Sequence, residues 1–436
     1  MPILIDPMLV IYAAPLAIIL MIYLGLRKIS EQKSSATFSA AVETGMTEPA
    51  SLHPKIDPGL CLGCAACARV CPEGDILGII NGKAKLVEPS HCIGHGACKE
   101  ACPTNAITLV FGTEKRGVDI PLVSPTFETN VPGIFIAGEL GGMGLVRNAI
   151  EQGRQAMKSI TKLGGLGRND RLDVVIVGAG PAGISASLAA IEAKLKFVTL
   201  DQDSFGGTVS HFPRGKLVMT QPATLPIIGK VNFREIKKEK LLEFWQNTAR
   251  KTGLEIRHAE RVKAVTVQGD RFVVESTKGQ YPTRSVLLAI GRRGSPRRLN
   301  VPGEDLPKVV YRLIDPEQYR GQRVLVVGGG DSALEAACSI AEEDGTSVTL
   351  SYRSDSFSRA KLKNRDRVSA AEQAGNMTVL LKSNVQQIDP DSVGIEHEGK
   401  EFVIGNDAVI ICAGGILPTG FLKSIGIEVE TKHGTV

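Results

Sequence analysis

Cysteines crowd into one short segment of this chain. Seven of its nine cysteines lie between residues 61 and 102. The first run reads C-x2-C-x2-C-x3-C-P, and the second keeps this spacing with a histidine at the second position. Soft thiolate ligands presented by one short loop are typical of iron–sulfur clusters, which predicts a chain that transfers single electrons. The candidate ligands are Cys61, Cys64, Cys67, Cys71, Cys92, His95, Cys98 and Cys102.

Two other uses of clustered cysteines fit this segment less well. Zinc sites pair two CxxC motifs, whereas each run here continues to a final cysteine followed by proline, which is not zinc-finger spacing. A disulfide scaffold is typical of small secreted chains, and this chain has 436 residues. Iron–sulfur ligation is therefore the interpretation that the spacing favours.

Residues 56–112 resemble the bacterial two-cluster ferredoxins over the whole module. In that family the fourth cysteine of each run binds the cluster of the other run. The resemblance implies a first 4Fe-4S cluster held by Cys61, Cys64, Cys67 and Cys102. It implies a second cluster held by Cys71, Cys92 and Cys98. The second is expected to be either a 4Fe-4S cluster with His95 as fourth ligand or a 3Fe-4S centre.

The N-terminal region is apolar. Residues 8–26 carry no charge, and a helix of that length spans about 28 Å, close to the thickness of a bilayer core. Arg27 and Lys28 follow the stretch, so the positive-inside rule places its C-terminal side in the cytoplasm. A cleaved signal peptide would need a basic segment before the stretch and a small-residue site after it, and neither is present. We expect a single-pass protein of a bacterial inner membrane with cytoplasmic catalytic domains.

A first dinucleotide site is predicted beyond residue 170. An apolar strand over 172–177 precedes a G-x-G-x-x-G turn, and a helix over 184–193 leads to a strand over 197–200 that ends at an acid. The glycines let backbone amides approach a pyrophosphate at the helix N-terminus, and the acid can accept from a ribose hydroxyl. The candidate residues are Gly178, Gly180, Pro181, Ala182, Gly183 and Asp201.

The pattern recurs with a strand over 323–327, a glycine turn, a helix over 334–342 and a strand over 347–351. Here arginines follow the second strand in place of an acid, which is typical of a site for the 2′-phosphate of NADP. NADPH is therefore expected in preference to NADH, with a solvated basic loop as the alternative. The candidate residues are Gly328, Gly330, Asp331, Ser332, Ala333, Arg353 and Arg359.

Residues 172–436 resemble the thioredoxin reductase family of two-dinucleotide flavoproteins, and in particular its bacillithiol-disulfide reductase members. The resemblance implies FAD at the first turn, with Gly207, Thr208 and Gly291 beside it, and NAD(P)H at the second. The redox CxxC of thioredoxin reductases is absent, since residues 292–327 contain no cysteine. Electrons cannot then leave the flavin by dithiol exchange, and the clusters are the expected outlet.

The resemblance also indicates a changed segment order. In that family a strand, a Gly-Asp pair and a helix complete the FAD domain at the C-terminus, whereas here residues 131–160 look like this element. The matching residues are Gly138, Glu139, Arg147, Asn148 and Ala149. We interpret this as a circular permutation, with an unrelated strand–helix linker as the alternative. Residues 131–137 are then expected to join the sheet of 172–177, and residues 115–125 to begin near Val436.

The expected fold class is α/β, with two Rossmann-like domains for FAD and NAD(P)H, an α+β ferredoxin module and an N-terminal transmembrane helix. The predicted boundaries are a transmembrane anchor at 1–28, a linker at 29–55, the 4Fe-4S module at 56–112, the permuted piece at 113–168, the FAD domain at 169–292, the NAD(P)H domain at 293–412 and a return to the FAD domain at 413–436.

The expected function is electron transfer between NADPH and a one-electron partner, a quinone, cytochrome or ferredoxin, through FAD and the clusters. A low-molecular-weight disulfide reductase and a non-catalytic relay or sensor subunit of a larger complex are the alternatives. The net charge of +5 does not favour nucleic acid. A membrane partner follows from the anchor, and homodimerisation is left open. No side chain is assigned a catalytic role, and His211 is assigned none. The basic loop with Arg292, Arg293, Arg297 and Arg298 is interpreted as solvated, with docking of an acidic partner as the alternative.

Overall fold

A computed structural model describes residues 7–43, 47–49, 52–72, 74–89, 92, 94–114, 117–142, 144–168, 170–212, 214, 217–218, 222–233, 236–358 and 360–434. Two compact units are present. The first comprises residues 1–113 with 434–436, and the second comprises residues 114–433.

The first unit combines a long helix with a small α+β module. Its elements are α1 (Pro7–Glu43), β1 (His53–Ile56), α2 (Ala66–Arg69), β2 (Leu77–Ile80), β3 (Lys83–Leu86), α3 (Ala97–Glu100) and β4 (Ile107–Val110). β1 pairs antiparallel with β4, and β2 with β3. Each short helix lies within a cysteine run, and Cys61, Cys67 and Cys98 are buried in the core of the module.

The long helix α1 corrects the predicted linker at 29–55. Residues 29–43 continue the helix, and β1 occupies 53–56. The C-terminal part of α1 packs on the β2–β3 hairpin: Lys33 lies 2.5 Å from the Asp75 carboxylate, and the Lys85 ammonium lies 5.4 Å from the centre of the Phe38 ring. Ala41 is buried. These tertiary contacts stabilise helix where local composition indicates a tether.

The N-terminal part of α1 is apolar and exposed. Large apolar side chains from Tyr12 to Ile29 each expose more than half of their surface. Within the part of the chain that the structure describes, no helix is both long and apolar enough to cross a bilayer. The transmembrane anchor predicted for residues 1–28 is therefore not found there, and residues 1–6 lie outside the described residues.

The second unit begins with the fold of the first glycine turn. Its elements are β5 (Val118–Pro121), β6 (Ile134–Ile136), α4 (Val146–Ile160), β7 (Leu172–Val177), α5 (Pro181–Glu192), β8 (Phe197–Leu200), β9 (Leu217–Val218), β10 (Ala223–Leu225), β11 (Gly229–Val231), β12 (Ile236–Lys237), α6 (Lys238–Thr252), β13 (Val262–Gln268), β14 (Arg271–Ser276) and β15 (Gln280–Leu288). The main sheet has the order β13-β14-β15-β7-β8, and β6 also pairs with β15.

The fold of the second glycine turn follows. Its elements are β16 (Ser295–Pro296), β17 (Val309–Val310), β18 (Arg323–Val327), α7 (Asp331–Ala341), β19 (Ser347–Tyr352), α8 (Leu362–Gln373), β20 (Met377–Leu381), β21 (Ser383–Ile388), β22 (Ser392–His397), β23 (Lys400–Gly405), β24 (Ala408–Ile411), β25 (Gly415–Ile416), α9 (Thr419–Ser424) and β26 (Val429–Lys432). A parallel sheet has the order β17-β24-β18-β19-β20, and β21, β22 and β23 form an antiparallel sheet. β16 pairs with β25 where the chain passes between the two folds.

Two pairings bear on the expected segment order. β6 runs parallel to β15, which also pairs with β7, so the strand at 134–136 belongs to the sheet of 172–177 as predicted. β26 pairs antiparallel with β5, which joins the C-terminal part of the chain to residues 118–121. Val436 lies outside the described residues, so the expected closeness of the terminus itself stays a prediction.

Candidate cofactor sites

One group of cysteines lines a small cavity of about 20 Å³ in the first unit. Its lining includes Cys61, Cys64, Cys67 and Cys102. Backbone N–H groups of Ala84 and Ala106 donate to the sulfurs of Cys61 and Cys102, at 3.4 and 3.3 Å. Hydrogen bonds of this kind stabilise metal-bound thiolates and tune cluster potentials. Burial raises the pKa of the Cys67 thiol to about 11, so this ligand loses its proton when metal binds.

The second group lines another small cavity of about 20 Å³ in the same unit. Its lining includes Cys71, Cys92, His95 and Cys98. The last cysteine of each run thus lies with the other run, which is the arrangement that the ferredoxin resemblance implies. Each quartet lines its own cavity, and the second quartet includes His95. Among the described residues, no three His, Cys, Asp or Glu side chains lie close enough to bind one metal ion. The individual ligand roles stay predictions.

The first glycine turn is built by close backbone approaches. A Cβ on Gly183 would lie 1.8 Å from the Gly178 carbonyl oxygen, and one on Gly207 would lie 2.8 Å from the Gly180 Cα. Gly178 adopts a φ of +103°, which disfavours any side chain. Pro181 opens α5 directly after the turn, so the helix N-terminus faces the space that a pyrophosphate needs. These features fit a dinucleotide such as FAD.

Asp201 braces this turn from the end of β8. It is 6% exposed, and its carboxylate accepts from the backbone N–H groups of Ala179, at 2.5 Å, and Asp203, at 2.7 Å. Carboxylate oxygens keep further acceptor capacity beside such bonds. The predicted bond from a ribose hydroxyl therefore stays open to Asp201.

The segment predicted to be permuted packs on the same turn. Gly138 donates its N–H to the Gln152 side-chain oxygen at 2.8 Å, and a Cβ on Gly138 would lie 3.0 Å from the Ala182 Cβ. A Cβ on Gly153 would lie 2.1 Å from the Ala182 carbonyl oxygen. Residues 134–160 therefore form part of the first nucleotide fold. The first turn of α4 holds Arg147 and Asn148, both half-buried, and the buried Ala149.

The second glycine turn has the same construction. Gly328 adopts a φ of +144°, and a Cβ there would lie 2.4 Å from the Cys412 carbonyl oxygen. Gly330 is the N-cap of α7, and Ala333 is fully buried. The side chain of Arg353 is exposed after β19, where a 2′-phosphate is expected. Arg359 lies outside the described residues, so its predicted role is not placed.

A cleft of about 390 Å³ lies where the two nucleotide folds meet. Its lining mixes charged, polar and apolar groups and includes Glu139, Thr208, His211, Phe212, Arg292, Arg293, Arg312, Leu313, Ser332, Glu335, Cys412 and Leu417. Arg292 and Arg293 thus face the cleft, which corrects their interpretation as a merely solvated loop. Glu139 is open to the cleft, yet desolvation raises the pKa of its carboxyl, against the lowering effect of Arg292 and Arg293.

His211 is a site residue that the sequence did not reveal. Its Nδ1 accepts from the Arg312 guanidinium at 2.8 Å, because arginine can only donate, and its Nε2 lies 3.5 Å from the Asp203 carboxylate. Burial and the Arg312 charge lower the pKa of His211, which favours the neutral ring at pH 7. Residues 211 and 312 are far apart in sequence, and no local motif marks the pair.

Comparisons with known proteins agree with these folds. The family model for pyridine nucleotide-disulphide oxidoreductases matches residues 175–436, and the model for 4Fe-4S dicluster domains matches residues 53–103. A ferredoxin–NADP reductase from Ignicoccus hospitalis is 30% identical over 268 residues, which cover 60% of this chain and 83% of the relative. Bacilliredoxin reductase from Bacillus subtilis is 27% identical over 267 residues, which cover 60% of this chain and 82% of the relative.

Solved structures place the fold in the same group. The bacillithiol disulfide reductase from Staphylococcus aureus superposes with a TM-score of 0.52 at 25% identity, covering 60% of this chain and 81% of that one. The family match spans more than half of the chain and includes both glycine turns. The chain belongs to the pyridine nucleotide-disulphide oxidoreductase family and is an NAD(P)H-dependent flavin oxidoreductase that carries a 4Fe-4S dicluster domain.

Proposed function

We propose that this chain exchanges electrons between NADPH and a one-electron partner through FAD and two iron–sulfur clusters. When bound, FAD converts between the two-electron chemistry of nicotinamide and the one-electron chemistry of clusters. The partner is a ferredoxin, quinone or cytochrome, and the relatives named ferredoxin–NADP reductase support the first of these. The observation that carries the proposal is the grouping of eight candidate ligands around two cavities in a chain that also holds two nucleotide folds.

The residues have separate tasks in this proposal. The first glycine turn and α4 hold FAD, and the second turn holds NADPH. Arg292 and Arg293 contribute positive charge to the cleft between the folds. This charge favours the anionic form of a reduced flavin and the phosphates of the nucleotides. Burial and the Arg312 charge lower the pKa of His211, so its neutral ring adds no further net charge there.

Selectivity for NADPH is expected to depend on Arg353. A charge-assisted hydrogen bond to a phosphate is worth about 1.5–3 kcal/mol, so Arg353→Ala should weaken NADPH binding roughly tenfold or more. NADH has no 2′-phosphate, so its affinity should change little. Fluorescence titration with both nucleotides measures the difference, with Lys400→Ala on β23 as an exposed control. Equal weakening of both nucleotides would contradict the assignment.

The second cluster is proposed to be abnormal because His95 stands with three cysteines around its cavity. A neutral imidazole in place of a thiolate lowers the negative charge on a cluster and raises its potential. His95→Cys should therefore lower the potential of this cluster alone. Potentiometric EPR of the wild type and the variant measures both clusters. Wild-type spectra and iron content typical of two all-cysteine 4Fe-4S clusters would rule out both His95 ligation and a 3Fe-4S centre.

Disulfide reduction is the second candidate function, favoured by the relatives named bacilliredoxin and bacillithiol disulfide reductase. The cysteines of the second unit support it weakly. Cys338 is 2% exposed, and burial raises the pKa of Cys412 to about 11, so neither is a ready thiolate at neutral pH. Activity on a low-molecular-weight disulfide that survives loss of the clusters would favour this candidate. A chain that binds both cofactors but shows no NADPH-dependent turnover would instead be a relay or sensor subunit.

Membrane localisation is the remaining part of the proposal. The apolar side chains of α1 form an exposed patch of the kind that soluble surfaces seldom carry. We propose that this patch holds the protein at the bacterial inner membrane with its catalytic domains in the cytoplasm. Leu20→Lys with Leu24→Lys should move the protein from the membrane fraction to the supernatant. Val403→Lys alters an apolar residue on β23 that is more exposed than either leucine, and it should not move the protein. Unchanged fractionation of the double variant would contradict the proposal.

A further inference from the structure

A carboxylate at the second glycine turn forms hydrogen bonds to the start of a neighbouring helix. Asp331 is the first residue of α7, where the pyrophosphate of a dinucleotide is expected. Its Oδ1 accepts from the backbone N–H of Lys361, at 2.8 Å, and from the side-chain amide of Asn364, at 2.7 Å. Both donors lie at the start of α8, whose N-cap residue Lys361 makes no side-chain capping bond of its own. Asp331 therefore fastens the start of α8 to the start of α7.

The segment that ends at this bond carries the candidate 2′-phosphate ligands. Residues 353–361, the basic loop, connect β19 to α8 and contain both Arg353 and Arg359. Contacts hold the described residues of this loop, which exclude residue 359: the Phe357 ring stacks on Tyr352 at 5.6 Å, the Ser354 carbonyl oxygen accepts from the Lys382 N–H at 3.0 Å, and Ala360 is fully buried.

Two contacts tie the basic loop to the glycine turn itself. The Tyr352 ring lies over Gly329, since a Cβ on that glycine would come within 2.3 Å of the ring. The second contact is the bond network of Asp331 with Lys361 and Asn364. Asn364 is 6% exposed, so its amide depends on this partner and on Glu335, at 3.3 Å, for its hydrogen bonds.

We propose that Asp331 is a positioning residue that sets the preference for a 2′-phosphate by holding the basic loop in register with the glycine turn. The inference rests on the proposed function, namely that this turn binds NADPH. The position of the bound pyrophosphate determines the position of the 2′-phosphate. The hydrogen bonds of Asp331 determine the position of the basic loop relative to both. A ligand group held in place before binding loses less entropy, so selectivity falls when the loop is released.

The test compares nucleotide binding by the full, FAD-loaded chain. NADPH, NADH and adenosine 2′,5′-bisphosphate are titrated against the wild type, Asp331→Ala, Asn364→Ala and Asp331→Asn. The ratio of the NADH to the NADPH dissociation constant should fall about tenfold in both alanine variants, because NADPH loses more affinity than NADH does. Adenosine 2′,5′-bisphosphate should weaken in parallel with NADPH. Asp331→Asn should recover most of the selectivity, because its side-chain oxygen still accepts both bonds.

A matched control separates loop positioning from general packing of the two helices. Glu342→Gln breaks the ion pair with Arg367, at 2.7 Å, which also joins α7 to α8, and it should leave the ratio unchanged. Equal weakening of NADPH and NADH in Asp331→Ala would overturn the inference, and so would an unchanged ratio. If the wild type itself shows no preference for NADPH, the proposed function is wrong at this turn. That result differs from one in which the wild type prefers NADPH and the variants keep the preference.

Discussion

Cys64→Ser is expected to abolish one-electron transfer to the partner while leaving reduction of the flavin by NADPH at the wild-type rate. Cys64 lines the cavity of the first predicted cluster and its side chain is exposed, so serine fits without disturbing the core. Serine does not supply the soft thiolate that iron–sulfide needs. Hydride transfer requires only the two nucleotide folds, which belong to a separate compact unit.

Two assays on the same preparation distinguish these steps. Anaerobic stopped-flow absorbance measures the rate of flavin reduction by NADPH. The rate at which an added ferredoxin or cytochrome is reduced measures one-electron transfer out of the protein. Cys338→Ala removes a buried cysteine outside the cluster module and should leave both rates near wild type. If the partner is still reduced at the original rate when the first cluster is missing, that cluster does not carry electrons from the flavin to the partner. The disulfide-reductase candidate would then be the better account.

Gly153→Val is expected to deprive the protein of FAD. A Cβ at residue 153 would lie 2.1 Å from the Ala182 carbonyl oxygen. The nearest atoms all belong to the Ala182 backbone, so no flexible side chain can move aside. Overpacking of this kind costs about 1–3 kcal/mol and sometimes more, enough to lower FAD affinity roughly tenfold or beyond. The expectation follows from α4 packing directly on the first glycine turn, as the predicted circular permutation requires.

The flavin content of the purified variant, read from its absorbance after removal of free FAD, measures this effect. Iron content should stay at the wild-type level, because the cysteine module lies in the other compact unit. Gly164→Ala is the matched control, since a Cβ there meets nothing within 4 Å. Full flavin content in Gly153→Val would contradict the role of residues 131–160 in the FAD site.

The glycine turns and the cysteine runs were predictable because their physical constraints are local. Gly183 and Gly328 leave no room for a Cβ, and the strand, turn and helix around each follow from short patterns that the structure confirms at β7, α5, β18 and α7. The grouping of Cys71 with the second run was predictable only through the ferredoxin resemblance, because it depends on how the module folds back on itself.

The features that escaped prediction depend on contacts between distant segments. Residues 29–43 have the composition of a tether, and they are helical because Lys33 pairs with Asp75 before β2, Phe38 contacts Lys85 on β3 and Ala41 is buried. The bond between His211 and Arg312 joins the two nucleotide folds across 101 positions. The bonds from Lys361 and Asn364 to the Asp331 carboxylate join residues 30 and 33 positions apart, and no local motif marks them.

The central claim is that flavin and clusters exchange electrons within this chain, and freeze-quench EPR tests it most directly. The oxidised full chain is mixed anaerobically with NADPH, and the fully reduced chain with NADP⁺, because cluster potentials span a range that allows either direction. The account predicts that, in at least one direction, the cluster signals change together with the redox state of the flavin. A flavin that changes its redox state in both experiments, beside cluster signals that change in neither, would contradict it.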